Sequence, residues 1–126
     1  MQRVPMMDCG DGTQRADNGC RGKVAAKTAS YTINPAEAGT LYTNRGAAGS
    51  VTFTLPPPKA GMWFGFQKAV NNQNIVVVTD VAATKFDGLT QGTTATNSTT
   101  EFGAIRIWSD GVVWFVDSQT GTWGIS

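Results

Sequence analysis

Apolar and polar side chains alternate along several short segments of the chain, and the clearest case is residues 50–55. Val51, Phe53 and Leu55 fall on one parity there, while Thr52 and Thr54 fall on the other. This period of two is typical of a β-strand with one buried face and one hydrated face. Three consecutive prolines follow the segment, and because they lack amide donors they end the strand.

Similar short segments, each bounded by Gly, Asn or Pro, predict further strands at residues 31–33, 40–43, 62–67 and 75–78. The continuous β-branched run at 75–78 indicates a strand that is covered on both faces. Residues 90–100 contain Thr, Ser and Asn without a core side chain, which predicts a functional or mobile loop. Together the pattern predicts an all-β protein, a single compact antiparallel β-sandwich or jelly-roll-like domain.

Residues 1–28 follow neither the helical nor the strand period. We interpret them as an extended N-terminal arm before a β-sandwich domain at residues 29–126; a disordered terminus is the alternative. Cys9 and Cys20 lie in this segment, either joined by a disulfide that closes a short loop or present as free thiols. Five basic side chains are spread along the arm, namely Arg3, Arg15, Arg21, Lys23 and Lys27.

Residues 105–116 predict a β-hairpin, because Asp110-Gly111 is a strong signal for a two-residue turn. A turn of this kind places Trp108 opposite Val113 and Ile107 opposite Trp114. The hairpin then has a core face formed by Ile105, Ile107, Trp114 and Val116. Its opposite face holds Arg106, Trp108, Val113 and Phe115.

This opposite face is too apolar for an ordinary hydrated surface, so something is expected to cover it. Arg106 is expected to lie over Phe115 and to reach Asp117. The cover is either another segment of the same chain or a second copy of the protein. Because aromatic side chains and arginine are enriched at the centres of interfaces, we favour a homo-oligomer interface formed by Arg106, Trp108, Val113 and Phe115.

Charge and composition exclude several functions. The formal net charge is +1, and duplex binding normally needs a concentrated basic stripe, so no nucleic-acid partner is expected. No apolar run is long enough to cross a membrane, and no signal peptide is apparent, so synthesis in the cytoplasm is expected. There is no histidine and the acidic residues are scattered. We therefore predict no catalytic residue, no cofactor and no metal site.

Two longer stretches carry a resemblance to a known class of proteins. Residues 37–56 (EAGTLYTNRGAAGSVTFTLP), with residues 60–66 (AGMWFGF), resemble a β module found in small structural proteins of tailed bacteriophages. Residues 109–116 (SDGVVWFV) and 120–123 (TGTW) are similar to the closing hairpin and terminal strand of that module. The resemblance covers roughly residues 30–126.

The resemblance implies a non-enzymatic virion protein that assembles as a multimer, commonly a trimer, on the outer surface of the capsid. Because the chain has no shaft repeats, the resemblance favours a capsid decoration, or cement, protein over a head fibre. The partners would be other copies of the chain and the major capsid protein, to which the basic arm would bind. The alternative is a receptor-binding knob of a head or tail fibre, in which Trp63, Trp123 and the 90–100 loop would contact host sugars.

Overall fold

The structure is a computed structural model that describes residues 6–8, 14–16, 23–70, 72–81, 84–87, 92–97 and 102–126. Two β-sheets pack face to face, which confirms the predicted all-β sandwich. The strands are β1 (Met6–Asp8), β2 (Gln14–Ala16), β3 (Lys23–Ala26), β4 (Tyr31–Thr32), β5 (Thr40–Thr43), β6 (Val51–Thr54), β7 (Trp63–Gln67), β8 (Ile75–Val78), β9 (Phe86–Asp87), β10 (Thr94–Asn97), β11 (Ala104–Ser109), β12 (Trp114–Thr120) and β13 (Gly124–Ile125).

One sheet has five strands in the order β13-β10-β8-β6-β4, and the other has six in the order β3-β5-β7-β11-β12-β9. The strands β1 and β2 form a separate antiparallel ribbon. From β4 to β8 the chain passes to the opposite sheet at every step, so neighbours within a sheet are two strands apart in sequence and run parallel. The sheets are therefore mixed, and the predicted purely antiparallel arrangement is wrong for these strands because their connections are not hairpins.

The interior between the sheets is filled with aromatic and aliphatic side chains. Val51, Phe53 and Leu55 are buried, as their alternation predicts, while Thr52 and Thr54 are partly exposed. Tyr42 of β5 packs against Phe53 at a centroid distance of 5.2 Å. Each large side chain buried in this way contributes roughly 1.5–3 kcal/mol to stability, so this cluster is the main force between the sheets.

The strands β3 and β10 are among those that the sequence did not predict. Residues 94–97 form β10 inside the five-stranded sheet, with Ala95 and Asn97 buried, so the loop prediction for this part of 90–100 is wrong. Threonine favours strands, yet the segment has no large apolar residue to signal burial. β3 lies within the segment predicted as an arm and pairs with β5 through its backbone while Val24 stays exposed.

The β-branched run in β8 is covered less completely than predicted. Ile75 and Val77 are buried in the core, whereas Val76 and Val78 are only partly buried on the other face. A 3₁₀ turn spans Pro35–Glu37, between β4 and β5. The Asn34 side chain accepts a hydrogen bond from the Ala36 N–H at 2.9 Å, so it caps this turn.

Asn44 is a buried polar residue that joins the loops after β5 and β7. Its Oδ1 accepts hydrogen bonds from the N–H groups of Ala69 at 2.7 Å and Val70 at 2.9 Å. Its Nδ2 donates to the carbonyl oxygens of Val70 at 3.2 Å and Gln73 at 3.4 Å. One side chain therefore satisfies backbone groups of a loop that is distant in sequence.

We expect Asn44→Ala to lower the free energy of unfolding by about 2 kcal/mol or more, because it leaves backbone donors without partners. Chemical denaturation measures this change. Asn72→Ala is the matched control, since Asn72 is exposed and its replacement should change stability by less than about 0.5 kcal/mol. Equal, small effects of both substitutions would contradict the role given to Asn44.

Candidate functional site

The hairpin of β11 and β12 has a longer loop than predicted. Ser109 lies opposite Trp114, so the loop comprises residues 110–113 and the predicted two-residue turn is wrong. Asp110 causes the difference, because its Oδ1 accepts hydrogen bonds from the N–H groups of Val112 at 2.9 Å and Val113 at 3.0 Å. Gly111, at φ 100°, supplies the left-handed conformation that this loop needs.

The faces of the hairpin nevertheless agree with the prediction. Trp108 lies opposite Phe115 instead of Val113, and Ile107 lies opposite Val116 instead of Trp114. A shift of two residues leaves Trp108, Phe115, Ile107 and Val116 on their predicted faces. Trp108 and Phe115 are therefore on the outer face, 38% and 39% exposed, while Val113 lies in the loop and does not belong to the strand face as predicted.

A β-bulge on β12 places the Asp117 carboxylate within reach of two donor side chains, Arg106 and Trp108. The register shifts between Arg106 and Ile107, so Arg106 lies opposite Ser118. Arg106 Nε donates to Asp117 Oδ2 at 2.7 Å and its guanidinium forms an ion pair with the same oxygen. Trp108 Nε1 also donates to that oxygen at 3.1 Å. The predicted contact between Arg106 and Asp117 is therefore present.

The predicted stacking of Arg106 on Phe115 is not among the contacts of the described residues. The cation–π contact that they show is formed by Lys27, whose Nζ lies 3.8 Å from the centre of the Tyr31 ring. The bulge explains this, since it places Arg106 opposite Ser118 and its guanidinium on Asp117.

Trp63 extends the apolar surface onto β7. It lies opposite Trp108, and the two ring centroids are 5.7 Å apart. Trp63, Trp108 and Phe115 thus form an aromatic row across three adjacent strands of the six-stranded sheet. Along β7, Trp63 points to the face opposite to that of Phe64 and Phe66, as the alternation of a strand indicates. No local pattern in the sequence indicated that β7 and β11 are neighbours.

A depression of about 270 Å³ lies beside the aromatic row. Gly65 contributes to it, because it lies between Leu41 and Arg106 on neighbouring strands and has no side chain to fill the space. A Cβ on Gly65 would lie 2.9 Å from Leu41 Cδ1. The lining residues are Leu41, Trp63, Gly65, Phe66, Ala104, Ile105, Arg106, Ser118 and Thr120.

The outer face carries its acidic groups in their charged form. The hydrogen bond from Arg106 holds the pKa of Asp117 below its ordinary value, and the Trp108 indole lowers it further against the opposing effect of desolvation. The pKa of Asp110 is also lowered, but by the N–H groups of Val113 and Val112. Asp117 is thus a fixed negative charge paired with one guanidinium.

Binding roles were also expected for Trp123 and for the basic side chains of the N-terminal segment. Trp123 is buried, and its Nε1 donates to the Thr120 carbonyl at 3.2 Å, so it offers no exposed ring to a sugar. Lys23 is exposed on β3. Arg15 lies in β2, of which only the backbone is described, while Arg3, Arg21, Cys9 and Cys20 lie outside the described residues.

The described ranges contain no group of three His, Cys, Asp or Glu side chains that could hold a metal ion. Within the same residues, no helix has the length and apolar character needed to cross a membrane.

No protein-family model matches the chain, and no curated protein matches it significantly. The outer face, with its aromatic row, ion pair and depression, is therefore the candidate functional site on geometric grounds.

We expect Arg106→Gln to raise the pKa of Asp117 toward that of an ordinary aspartate, because the substitution removes the cation that stabilises the carboxylate. Since the folded-state pKa is lowered, the stabilisation is present above the unfolded pKa and is lost as the pH falls through the folded pKa. NMR titration of the carboxyl carbons measures this. The pKa of Asp110 is the internal control and should not change; an unchanged Asp117 would contradict the assignment.

Proposed function

We propose that the chain is a non-enzymatic structural protein of a bacteriophage virion, and specifically a capsid decoration protein that self-associates on the outer surface of the shell. The resemblance of residues 30–126 to phage β modules supports the virion class. The observation that carries the interaction is the aromatic row, since Trp108 and Phe115 remain more than one third exposed on a sheet face. Tryptophan, tyrosine and arginine are the residues that dominate binding energies at interfaces.

The ion pair suits the centre of such an interface. Arg106 and Asp117 neutralise each other, and Asp117 also receives the Trp108 indole N–H. A second copy would therefore not bury an unpaired charge, which is the costly case. The aromatic row would supply most of the apolar contact area.

The outer face alone is a small interface. A stable complex commonly buries about 800 Å² on each partner, which is more than three aromatic side chains and one ion pair provide. Further area would come from the N-terminal segment, whose basic residues would bind acidic patches of the major capsid protein. β3, which begins at Lys23, belongs to the six-stranded sheet, so the test of the arm is confined to residues 1–22.

A second candidate function is favoured by the depression beside Trp63. Its volume of about 270 Å³ is close to the lower end of ligand sites, and it combines an indole with Arg106 and the hydroxyls of Ser118 and Thr120. This chemistry would suit a single sugar ring, which stacks on an aromatic face and hydrogen-bonds through its hydroxyls. The chain would then be a receptor-binding knob.

We expect the purified protein to be an oligomer, commonly a trimer, and Trp108→Ala to dissociate it to monomers by removing the centre of the interface. Native mass spectrometry measures the mass, and circular dichroism checks that the β structure persists. Val81→Ala is the matched control, because Val81 is an exposed apolar residue that follows β8 in the other sheet. A monomeric wild-type protein would contradict self-association.

Deleting residues 1–22 distinguishes the two candidate functions. If the chain is a decoration protein, the deletion variant should no longer co-sediment with expanded capsids from which the wild-type protein is absent. The reason is that the arm supplies the contact with the capsid. A knob should keep its signal on a glycan array after the deletion and lose it with Trp63→Ala. Capsid binding that survives the deletion would contradict the role given to the arm.

A further inference from the structure

Four strands form the edges of the two packed sheets, and β3 is the longest of them. β4, β9 and β13 have two residues each, whereas β3 has four. A very short edge strand offers few backbone groups for pairing, which is one way in which proteins prevent unwanted association. β3 is therefore the described edge that offers the longest row of backbone groups to another strand.

The backbone groups of β3 are divided between its neighbour and the open side of the sheet. The N–H of Lys27, which continues β3, donates to the Thr43 carbonyl of β5 at 2.9 Å. In a parallel ladder every second residue directs its N–H and C=O toward the same neighbour, so Ala25 shares this direction. Val24 and Ala26 direct theirs away from β5. No described strand pairs with β3 on that side.

The side chains of β3 alternate between the outer face and the interior. Val24 is on the outer face and is 65% exposed. Ala25 lies opposite Tyr42, which is fully buried, so Ala25 points toward the interior. Lys23 and Lys27 share the parity of Ala25 and therefore point to the same side of the strand. Two amines thus lie at the open end of the interior.

The open end keeps a net positive charge. The Lys27 ammonium lies 3.8 Å from the centre of the Tyr31 ring on the opposite sheet. Burial raises the pKa of Glu37, but hydrogen bonds from the Tyr31 hydroxyl and the Asn34 N–H lower it, as do Lys27 and Lys23, and the net pKa is lowered. Glu37 is therefore ionised. One carboxylate faces two ammonium groups, so part of the positive charge is not compensated.

A second copy of β3 would fit this edge poorly. If two β3 strands paired antiparallel about Ala25, Lys23 of each copy would lie opposite Lys27 of the other. Like charges directly opposite one another destabilise a strand pair, and inward-pointing charges on an edge strand prevent such pairing. The two lysines instead favour a strand with negative charges at both positions.

We propose that β3 is a docking edge to which an extended acidic segment of another protein adds as a further strand. Its backbone would exchange hydrogen bonds with Val24 and Ala26. Two acidic side chains, at the spacing of Lys23 and Lys27, would lie beside those lysines, with a small residue beside Ala25 between them. In this mode of recognition the main chain supplies affinity and the alternate side chains supply specificity.

The inference rests on the sheet edge and not on the proposed virion function. The segment is defined by its chemistry, namely an acidic residue at each end of a short stretch that alternates apolar and small residues. A test with synthetic peptides needs no capsid, so its failure and the failure of the proposed function are separate results.

NMR titration of the full-length protein with the capped peptide SEVSVES tests the proposal. The two glutamates match the lysines of β3 in either strand direction. The amide signals of Val24 and Ala26 should shift and saturate, and their exchange with deuterium should slow. The peptide SKVSVKS has the same length and apolar content, and it should bind at least about tenfold more weakly because each lysine meets a like charge.

Three results of these measurements would overturn the proposal. The first is the absence of a saturable shift at millimolar SEVSVES. The second is equal affinity for both peptides. The third is slow exchange of the Val24 and Ala26 amides in the protein alone, since the edge would then already be paired with the chain itself or with a second copy.

Variants of β3 locate the binding. Val24→Pro removes an N–H that is directed away from β5, so it should abolish binding while circular dichroism shows that the β structure persists. Replacing both Lys23 and Lys27 by Glu should reverse the preference to SKVSVKS. Lys59→Glu reverses another exposed lysine and should leave the affinity unchanged. A preference that does not reverse, or a folded Val24→Pro that binds as the wild type does, would overturn the proposal.

Discussion

The structure depends on one interior that two sheets bury together. Tyr42 and Phe66 from the six-stranded sheet meet Phe53 from the five-stranded sheet, at centroid distances of 5.2 Å for each pair with Phe53. Aromatic pairs of this kind add about 0.5–1.5 kcal/mol beyond the area that they bury. Because these three rings come from β5, β6 and β7, the crossings of the chain from β5 to β6 and from β6 to β7 contribute to the same cluster.

Sequence patterns predicted the strands whose large apolar residues share one face. β6 is the clearest example, since Val51 and Phe53 both point inward. β3 and β10 were missed for the opposite reason: Val24 is 65% exposed, and β10 buries only Ala95 and Asn97, neither of them a large apolar side chain. Parallel pairing could not be predicted either, because alternation along one strand carries no information about which strand lies beside it.

At the outer face, the alternation of side chains predicted the face of Trp108 and Phe115 correctly, whereas the predicted type of turn was wrong. Trp108 and Phe115 share a face although the predicted loop was two residues too short, since a shift of that size leaves side-chain direction unchanged. The pairing of Trp63 with Trp108 and the depression at Gly65 could not be predicted, because they arise where β7 meets β5 and β11. Such features depend on residues that are distant in sequence.

The alternation of β4 to β8 between the sheets also has a kinetic consequence. None of these strands can pair with its immediate successor, so each ladder must wait for a longer loop to close and for its chain entropy to be lost. The hairpin of β11 and β12 is different, because the Asp110 loop joins its strands locally. Its contacts are local in sequence, so it closes a shorter loop than the ladders of β4 to β8 do.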